Sequence, residues 1–183
     1  MGTIDFADTI RPNVKATFNR LRNVGVERTL LLSGDQPRYV RTVADAVGIR
    51  DARGDLLPAD KVSVVAQLEH AGERVLMVGD GVNDAPALSR ASVGVALAAH
   101  GRGVASESAD VILLDDELSA VAEALEIGHR TMRIARQSIL VGLGLSATAM
   151  VFAALGHIAP VVGAAMQEAI DVAVILNALR TSY

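Results

Sequence analysis

Two carboxylates stand in a glycine-rich turn that follows an apolar run. The sequence VLMVGDGVNDAPAL, residues 75–88, places Asp80 and Asp84 four positions apart. Carboxylate oxygens at this spacing can bind one hard cation, and Mg²⁺ is the preferred ion where phosphate is present. Gly81 and the glycine before Asp80 let the backbone bend tightly. Asn83 and Asp84 begin a helix, whose N-terminus favours anions. The turn therefore predicts Mg²⁺-assisted phosphate chemistry.

The elements that must position this turn alternate along residues 1–118. Apolar runs predict strands at GTIDF, ERTLLLSGD, RVLMVGDG, SVGVAL and DVILLDD. Amphipathic stretches between them predict helices, three of which end at Gly25, Gly48 and Gly72. Strand and helix alternating at this pitch favour a parallel sheet with helices on both faces. Ligands of such sheets bind at the carboxyl ends of the strands, where both the LSGD and the VGDGVND turns lie.

The last third of the chain has a different character. Residues 119–137 predict an amphipathic connecting helix, and residues 138–156 form a 19-residue run without a charge. A second apolar run covers residues 161–179, so residues 138–180 predict two membrane spans joined by a short loop. The alternative is a buried helical hairpin of a soluble protein. Arginines precede the first span and follow the second, which predicts that both chain ends are cytoplasmic.

Composition supports a membrane protein and excludes several other classes. Apolar residues make up 51% of the 183 positions, and the mean hydropathy is +0.36. The net charge of −4 does not favour nucleic-acid binding, which usually requires a basic surface. The chain has no cysteine, so it has no disulfide framework. The N-terminus lacks the basic segment and apolar core of a signal peptide.

Several motifs, in the same order, resemble those of P-type cation-transporting ATPases in the haloacid dehalogenase-like superfamily. GDGVNDAPAL resembles the family's hinge motif, LLSGD its T-G-D motif, and LPADK the motif that carries a phosphate-binding lysine. FADTIRP resembles the segment where the chain re-enters the phosphorylation domain. ESADVILLDD and the ending QEAIDVAVILNALR resemble the heavy-metal-transporting branch. The resemblance covers essentially the whole chain and implies a Rossmann-like α/β phosphorylation domain, incomplete here, followed by a transmembrane hairpin.

The resemblance also implies the roles of individual residues. Asp80 and Asp84 would hold Mg²⁺, and Lys61 would neutralise phosphoryl charge. A pocket for phosphate is expected from Ser33, Gly34 and Asp35, with cofactor-proximal positions at Asp8, Arg11, Gly81 and Asn83. ATP is the expected substrate of the complete enzyme. A lipid membrane, a transition-metal ion and a separate or preceding segment with nucleotide, actuator and further membrane domains are the expected partners.

Three polar residues in the second span are candidates for the path of the transported ion. Glu168 lies where the family leads us to expect a metal-pathway carboxylate, and Gln167 occupies a position that is often histidine, which leaves the ion open. Independently of family, Glu168 and Asp171 are costly in lipid and should face a bundle interior or water. Their spacing of three puts them on one helical face. The alternative is that they sit near a polar gap or pair with a neighbour. His157, in the loop between the spans, is interpreted as an interfacial residue.

The family's phosphorylated aspartate is missing from this sequence. The string D-K-T-G-T does not occur, and Asp5 and Asp8 have the wrong spacing for a D-x-D pair. We therefore expect the acceptor on another segment and no ATP turnover by this chain alone. A sheet that lacks its first strand exposes an edge, so instability or a partner is expected.

The sequence thus predicts part of an ATP-driven transition-metal transporter in the cell membrane. Two other classes remain open at this point. A soluble phosphatase of the same superfamily would use the same turn but would need a D-x-D pair and no spans. A non-catalytic membrane relic that binds a partner would keep the fold and lose tight Mg²⁺ binding.

Overall fold

The computed structural model describes residues 10, 13–79, 82–97, 108–114 and 117–182. The chain forms two compact units, Met1–Ala124 and Leu125–Tyr183. The first unit is α/β and carries the predicted phosphate site. The second consists of helices.

Five short parallel strands form two sheets in the first unit. Strands β1 (Leu30–Leu32) and β2 (Asp51–Arg53) pair in parallel, with Leu30 opposite Asp51. Strands β3 (Leu76–Gly79), β4 (Val93–Leu97) and β5 (Val111–Leu113) form the second sheet in that order. The α/β fold with parallel strands, expected from the alternating pattern, is confirmed. The sequence did not predict β2, because Asp-Ala-Arg lacks the apolar run by which a buried strand is recognised.

Helices connect these strands, and three of them end next to a glycine. They are α1 (Val14–Asn23), α2 (Pro37–Val47), α3 (Pro58–His70) and the short α4 (Ala85–Arg90), with a 3₁₀ turn at Val82–Asp84. Gly25, Gly48 and Gly72, predicted as helix stops, have φ of 96°, 85° and 87°. In this left-handed region a side chain is strained, which explains glycine at each stop.

Two small apolar cores hold the helices against the strands. Ala44, Val47 and Ile49 pack with Phe18 and Leu31 beneath the first sheet. Leu88 and Ala96 are fully buried beneath the second, in contact with Met77. The apolar faces of α2 and α4 therefore anchor the two sheets, in agreement with the amphipathic pattern.

Strands β1 and β3 each have one edge that the described residues leave unpaired. β1 is hydrogen bonded to β2 alone and β3 to β4 alone within that part of the chain. Leu30–Leu32 and residues 76–78 are only half-buried, whereas Val95 and Ala96 of β4 are buried. Strands of a parallel sheet are normally covered on both faces. Among the described residues, β1 and β3 are thus less covered than is usual for such apolar strands.

The second unit contains two long apolar helices. Helix α5 (Leu118–Ala154) has 37 residues, so the predicted connecting helix and first span are one continuous helix. Helix α6 (Pro160–Ala178) begins at the last residue of the predicted loop, which covers residues 157–160. Both are long and apolar enough to cross a membrane, and their apolar windows are 11% and 0% buried. This exposure contradicts a buried hairpin of a soluble domain and agrees with two membrane spans. His157 lies edge-on to Phe152 in the loop region.

A polar network ties α3 to α4 and β4. Glu69 accepts hydrogen bonds from the Arg90 guanidinium at 2.5 Å and the Ser92 hydroxyl at 2.7 Å. Ser92 Oγ in turn accepts the Val75 N–H at 3.2 Å. The Ser92 hydrogen bond, supported by Arg90, lowers the pKa of the Glu69 carboxyl. The ionised carboxylate is therefore the form that the folded unit favours.

We expect this network to make the thermal stability of the chain depend on pH in the acidic range. Because the folded pKa lies below the ordinary value of 4.5, the stabilisation by Glu69 is present above that value and is lost as pH falls through the folded pKa. Thermal unfolding of the full chain in detergent micelles checks this. Glu69→Gln should lower the Tm at pH 7 and lose less Tm than the native chain between pH 6 and pH 3. Asp45→Asn, in an exposed helix pair, is the control. Equal acid losses in the native and Glu69→Gln chains would refute the prediction.

Candidate functional site

An ion pair between Lys61 and Asp84 forms the centre of the candidate site. Lys61 lies in the first turn of α3, whose start is fixed because the Asp60 carboxylate accepts the Leu57 N–H at 2.9 Å. Lys61 Nζ lies 2.7 Å from Asp84 Oδ1. The two side chains are only 12% and 13% exposed. The structure therefore brings together two of the residues that the sequence predicted for phosphate and Mg²⁺.

Asp84 is held over the end of β3 by close packing. A Cβ placed on Gly79 would lie 2.7 Å from Asp84 Cβ and 2.9 Å from Asp84 Oδ2. Only glycine at this position lets the Asp84 side chain lie against the strand backbone. Glycine is therefore required at position 79 for a steric reason, in addition to the backbone flexibility that the turn needs.

The LSGD turn at the end of β1 is ordered by its own side chains. The Ser33 hydroxyl donates to Asp35 Oδ2 at 2.8 Å, and Ser33 Oγ accepts the Asp35 N–H at 3.2 Å. The Ser33 N–H donates to the Arg53 carbonyl, and the Ser33 carbonyl accepts the Leu56 N–H. The turn is therefore joined to the segment that leads directly into α3 and Lys61. Gly34 and Asp35 are exposed at its tip.

Gly54 is a residue of this site that the sequence did not single out. A Cβ at Gly54 would lie 2.6 Å from the Asp35 carbonyl oxygen and 2.7 Å from Pro37 Cα. The Asp35 carbonyl also accepts the Asp55 N–H at 2.8 Å. The LSGD turn can pack on the end of β2 only because residue 54 has no side chain. The one signal in the sequence was that Gly54 directly follows β2, a strand that the sequence did not predict.

The remaining predicted residues of the α/β unit divide into two groups. Asn83 lies exposed in the 3₁₀ turn beside Asp84. Asp8, Arg11, Asp80 and Gly81 lie outside the described residues. Within the described ranges, no group of three His, Asp or Glu side chains converges as a metal site. Asp84 is the predicted Mg²⁺ ligand whose position the structure gives.

The site combines a carboxylate and an ammonium in a partly desolvated setting. Asp84 offers the hard oxygen donors that suit Mg²⁺. Lys61 carries three N–H donors, so its bond to Asp84 leaves others for a phosphoryl oxygen. Electrostatic contacts strengthen where water is excluded. The arrangement can thus neutralise an anionic group at the carboxyl end of β3.

In the second unit, the three polar residues predicted for the ion path lie within about one turn of α6. The Gln167 side-chain amide donates to Asp171 Oδ1 at 3.1 Å, one helical turn away. Glu168 lies on a shallow groove along α6. Asp171 therefore has the neighbouring partner that the alternative interpretation anticipated, whereas Glu168 faces an apolar surface.

Comparison with known proteins gives consistent matches over both units. A family model of haloacid dehalogenase-like hydrolases matches residues 1–92. A zinc-exporting P-type ATPase of Mycobacterium marinum is 37% identical over 180 residues, which cover 98% of this chain and 25% of the relative. A copper-exporting P-type ATPase of Staphylococcus aureus is 37% identical over 98% of this chain and 22% of its own length.

A solved structure agrees with these sequence matches. The crystal structure of a zinc-transporting PIB-type ATPase in its E2·Pi state superposes with a TM-score of 0.88 at 34% identity. The match covers 95% of this chain and 28% of that protein. The chain therefore spans about a quarter of the length of the relatives it matches.

The Lys61–Asp84 pair should contribute to stability as a coupled unit. Lys61→Met or Asp84→Asn alone leaves one charge unpaired in a partly desolvated site, and each should cost about 1–3 kcal/mol of unfolding free energy. The double variant should cost less than the sum of the two. Denaturant unfolding of the full chain in micelles gives the values. Arg41→Met, from an exposed ion pair with Asp45, is the control; single losses as small as that of the control would contradict a coupled pair.

Gly54 should tolerate no side chain. Gly54→Ala forces backbone atoms of Asp35 and Pro37 to move, and we expect a loss of about 1–3 kcal/mol from overpacking. Gly34→Ala is the matched control, because its new Cβ would lie 3.4 Å from the Leu56 carbonyl oxygen, an ordinary contact. The Tm of each full-length variant measures the effect. A Gly54→Ala chain as stable as the Gly34→Ala chain would refute the steric argument.

Proposed function

Because the chain belongs to the haloacid dehalogenase-like hydrolase family, we propose that it supplies the phosphate-handling elements and two membrane spans of an ATP-driven transition-metal cation transporter. The Lys61–Asp84 pair at the end of β3 is the observation that carries this proposal. Similarity over 98% of the chain to metal-exporting P-type ATPases supports it.

Each polar group of the site has a defined role in the proposal. Lys61 neutralises the charge of the phosphoryl group, and the Ser33 hydroxyl and Gly34 line its pocket. Asp35 orients the Ser33 hydroxyl through the 2.8 Å hydrogen bond. These residues perform no covalent chemistry, since phosphoryl transfer depends mainly on positioning and charge neutralisation. Asp8 and Arg11 complete the phosphate surroundings.

Mg²⁺ is the proposed cofactor, and ATP is the proposed phosphoryl donor. The carboxylate oxygens of Asp84 fit a hard cation, and we assign Asp80 as its companion ligand, with Gly81 and Asn83 shaping the turn. When bound, Mg²⁺ supplies charge neutralisation to the phosphoryl oxygens. Asp84 packs against Gly79 and pairs with Lys61. These two contacts hold the Asp84 carboxylate beside the Lys61 ammonium.

The phosphate acceptor comes from a segment outside these 183 residues. The sequence has no D-K-T-G-T, and the chain spans about a quarter of its relatives. We place an acceptor strand beside the unpaired edges of β1 and β3, since the carboxyl ends of these strands carry Ser33 and lead to Asp84. An aspartate at the end of such a strand would lie among the phosphate-binding groups. The chain alone is therefore inactive as an ATPase.

The hairpin provides part of the proposed ion path. Glu168 and Asp171 carry the negative charge that a cation requires in the membrane, and Gln167 orients Asp171 through the 3.1 Å hydrogen bond. The transported ion is a transition metal. Relatives of equal identity are named for zinc and for copper, so the choice of ion is left open.

Charge distribution supports an orientation in the cell membrane. Arg130, Arg133 and Arg136 precede the first apolar run, and Arg180 follows the second. Positively charged residues near span ends favour the cytoplasmic side. The α/β unit and both ends of the chain are accordingly cytoplasmic in the proposal. A soluble phosphatase would have no use for this hairpin.

A chimeric transporter tests the proposal. The matching quarter of the M. marinum ATPase is replaced by this chain, and purified protein is incubated with radiolabelled ATP and Mg²⁺. We expect a hydroxylamine-sensitive phosphoprotein from the chimera and none from the chain alone. Lys61→Ala should lower its level about a hundredfold, the usual cost of one charge-stabilising group. Lys15→Ala, at the chain's other lysine, which is exposed on α1, is the control.

Two results would overturn the proposal. One is a phosphoprotein formed by the isolated chain, which would place the acceptor within it. The other is a membrane-inserted chimera whose phosphorylation is the same in the Lys61→Ala and Lys15→Ala forms.

A further inference from the structure

A buried polar pair joins the two spanning helices near one end of the hairpin. The Asn177 side-chain amide of α6 donates to Ser138 Oγ of α5 at 2.7 Å. The Ser138 residue is only 4% exposed. Ser138 begins the first apolar run and Asn177 lies close to the end of the second, so the pair occurs where the helices enter the apolar layer.

One turn deeper, the two helices make a close steric contact. A Cβ on Gly142 would lie 2.8 Å from Val174 Cγ2. Gly142 follows Ser138 by four residues and Val174 precedes Asn177 by three, so both contacts lie on one face of each helix. Glycine at this position lets the Val174 side chain reach the backbone of α5, as small residues do where membrane helices pack closely.

The burial pattern extends this contact along both helices and defines a seam. Its less exposed residues on the apolar part of α5 are Ser138, Gly142, Ser146 and Ala149, and on α6 they are Gly163, Ile170, Val174 and Asn177. All four α5 residues are small. The opposite face of α6 is exposed and lines the shallow groove, with residues Ala165, Glu168, Ala169, Val172, Ala173 and Leu176.

Glu168 lies nine residues before Asn177, which is about two and a half helical turns. The two side chains therefore point to opposite sides of α6. We propose that the Ser138–Asn177 hydrogen bond and the Gly142–Val174 contact fix the rotation of α6, which makes Asn177 the residue that positions Glu168 away from α5. The role of Glu168 in ion transport rests on the proposed function; the seam does not.

Cysteine cross-linking in lipid vesicles tests the seam. The sequence has no native cysteine, so only the introduced cysteines can form a disulfide. In the antiparallel register of the two contacts, Ser146 is level with Ile170. The pair Ser146→Cys/Ile170→Cys should form a disulfide about tenfold faster than Ser146→Cys/Val172→Cys, because a disulfide needs Cβ atoms within about 4 Å. Iodine is the oxidant, so that no metal ion is added. Equal rates for the two pairs would overturn the seam.

The ratio of the two disulfide formation rates, for the 146/170 pair over the 146/172 pair, also measures the contribution of Asn177. Asn177→Leu, and separately Ser138→Ala, should lower the ratio at least about threefold, because each removes the cross-helix hydrogen bond. The swapped pair, Ser138→Asn with Asn177→Ser, should restore it. Thr148→Val is the matched control, since Thr148 Oγ1 donates only within α5, to the Gly144 carbonyl at 2.8 Å. Circular dichroism verifies that each variant keeps its helices.

A ratio unchanged in Asn177→Leu, or not restored by the swap, would overturn the assigned role of Asn177. In the phosphorylating chimera, Asn177→Leu should also raise the zinc concentration for half-maximal phosphorylation and leave its maximal level unchanged. The cross-linking readout needs no ATP or metal. Either result that overturns the proposed function would therefore leave the test of the seam unaffected.

Discussion

The ion pair between Lys61 and Asp84 is the interaction on which the α/β unit depends. It joins the first turn of α3 to the turn after β3, two segments 23 residues apart in the chain. In a site that excludes most water, each charge needs the other, because an unpaired charge there is strongly unfavourable. The contact that holds these segments together also fixes an ammonium and a carboxylate at the end of β3. Stability and preorganisation for an anionic ligand thus have one physical origin.

A second constraint follows from the two strands β1 and β3. β1 and β3 are apolar, yet each is half-buried and hydrogen bonded on one side within the described residues. A strand that paired with one of these edges would bury apolar surface and satisfy the backbone groups of that edge. If it pairs in parallel, its carboxyl end lies beside the turn that follows the strand it joins. In the proposed transporter, the step that completes the sheet would therefore also bring the phosphate acceptor to its site.

Much of this organisation could be predicted from the sequence, because the signals are local. Gly25, Gly48 and Gly72 mark helix ends by backbone sterics alone, and the two long apolar runs predict membrane spans by length. β2 and Gly54 were missed because their importance arises from tertiary contacts: a polar tripeptide pairs with β1, and a glycine makes room for the Asp35 carbonyl. The continuity of α5 was also missed, since a change from amphipathic to uniformly apolar sequence does not interrupt backbone hydrogen bonding. Packing, rather than propensity, decides these features.

That continuity gives α5 a particular place in the proposed mechanism. Val121 and Ala122, in its first two turns, are buried within the α/β unit. Further along, the same helix presents Ser138 and Gly142 to α6. An α-helix is stiff because every residue is tied to the next turn, so no flexible loop separates these two sets of contacts. Within the hairpin, the seam with Asn177 and Val174 then sets the face of α6 that Glu168 presents in the proposed transporter.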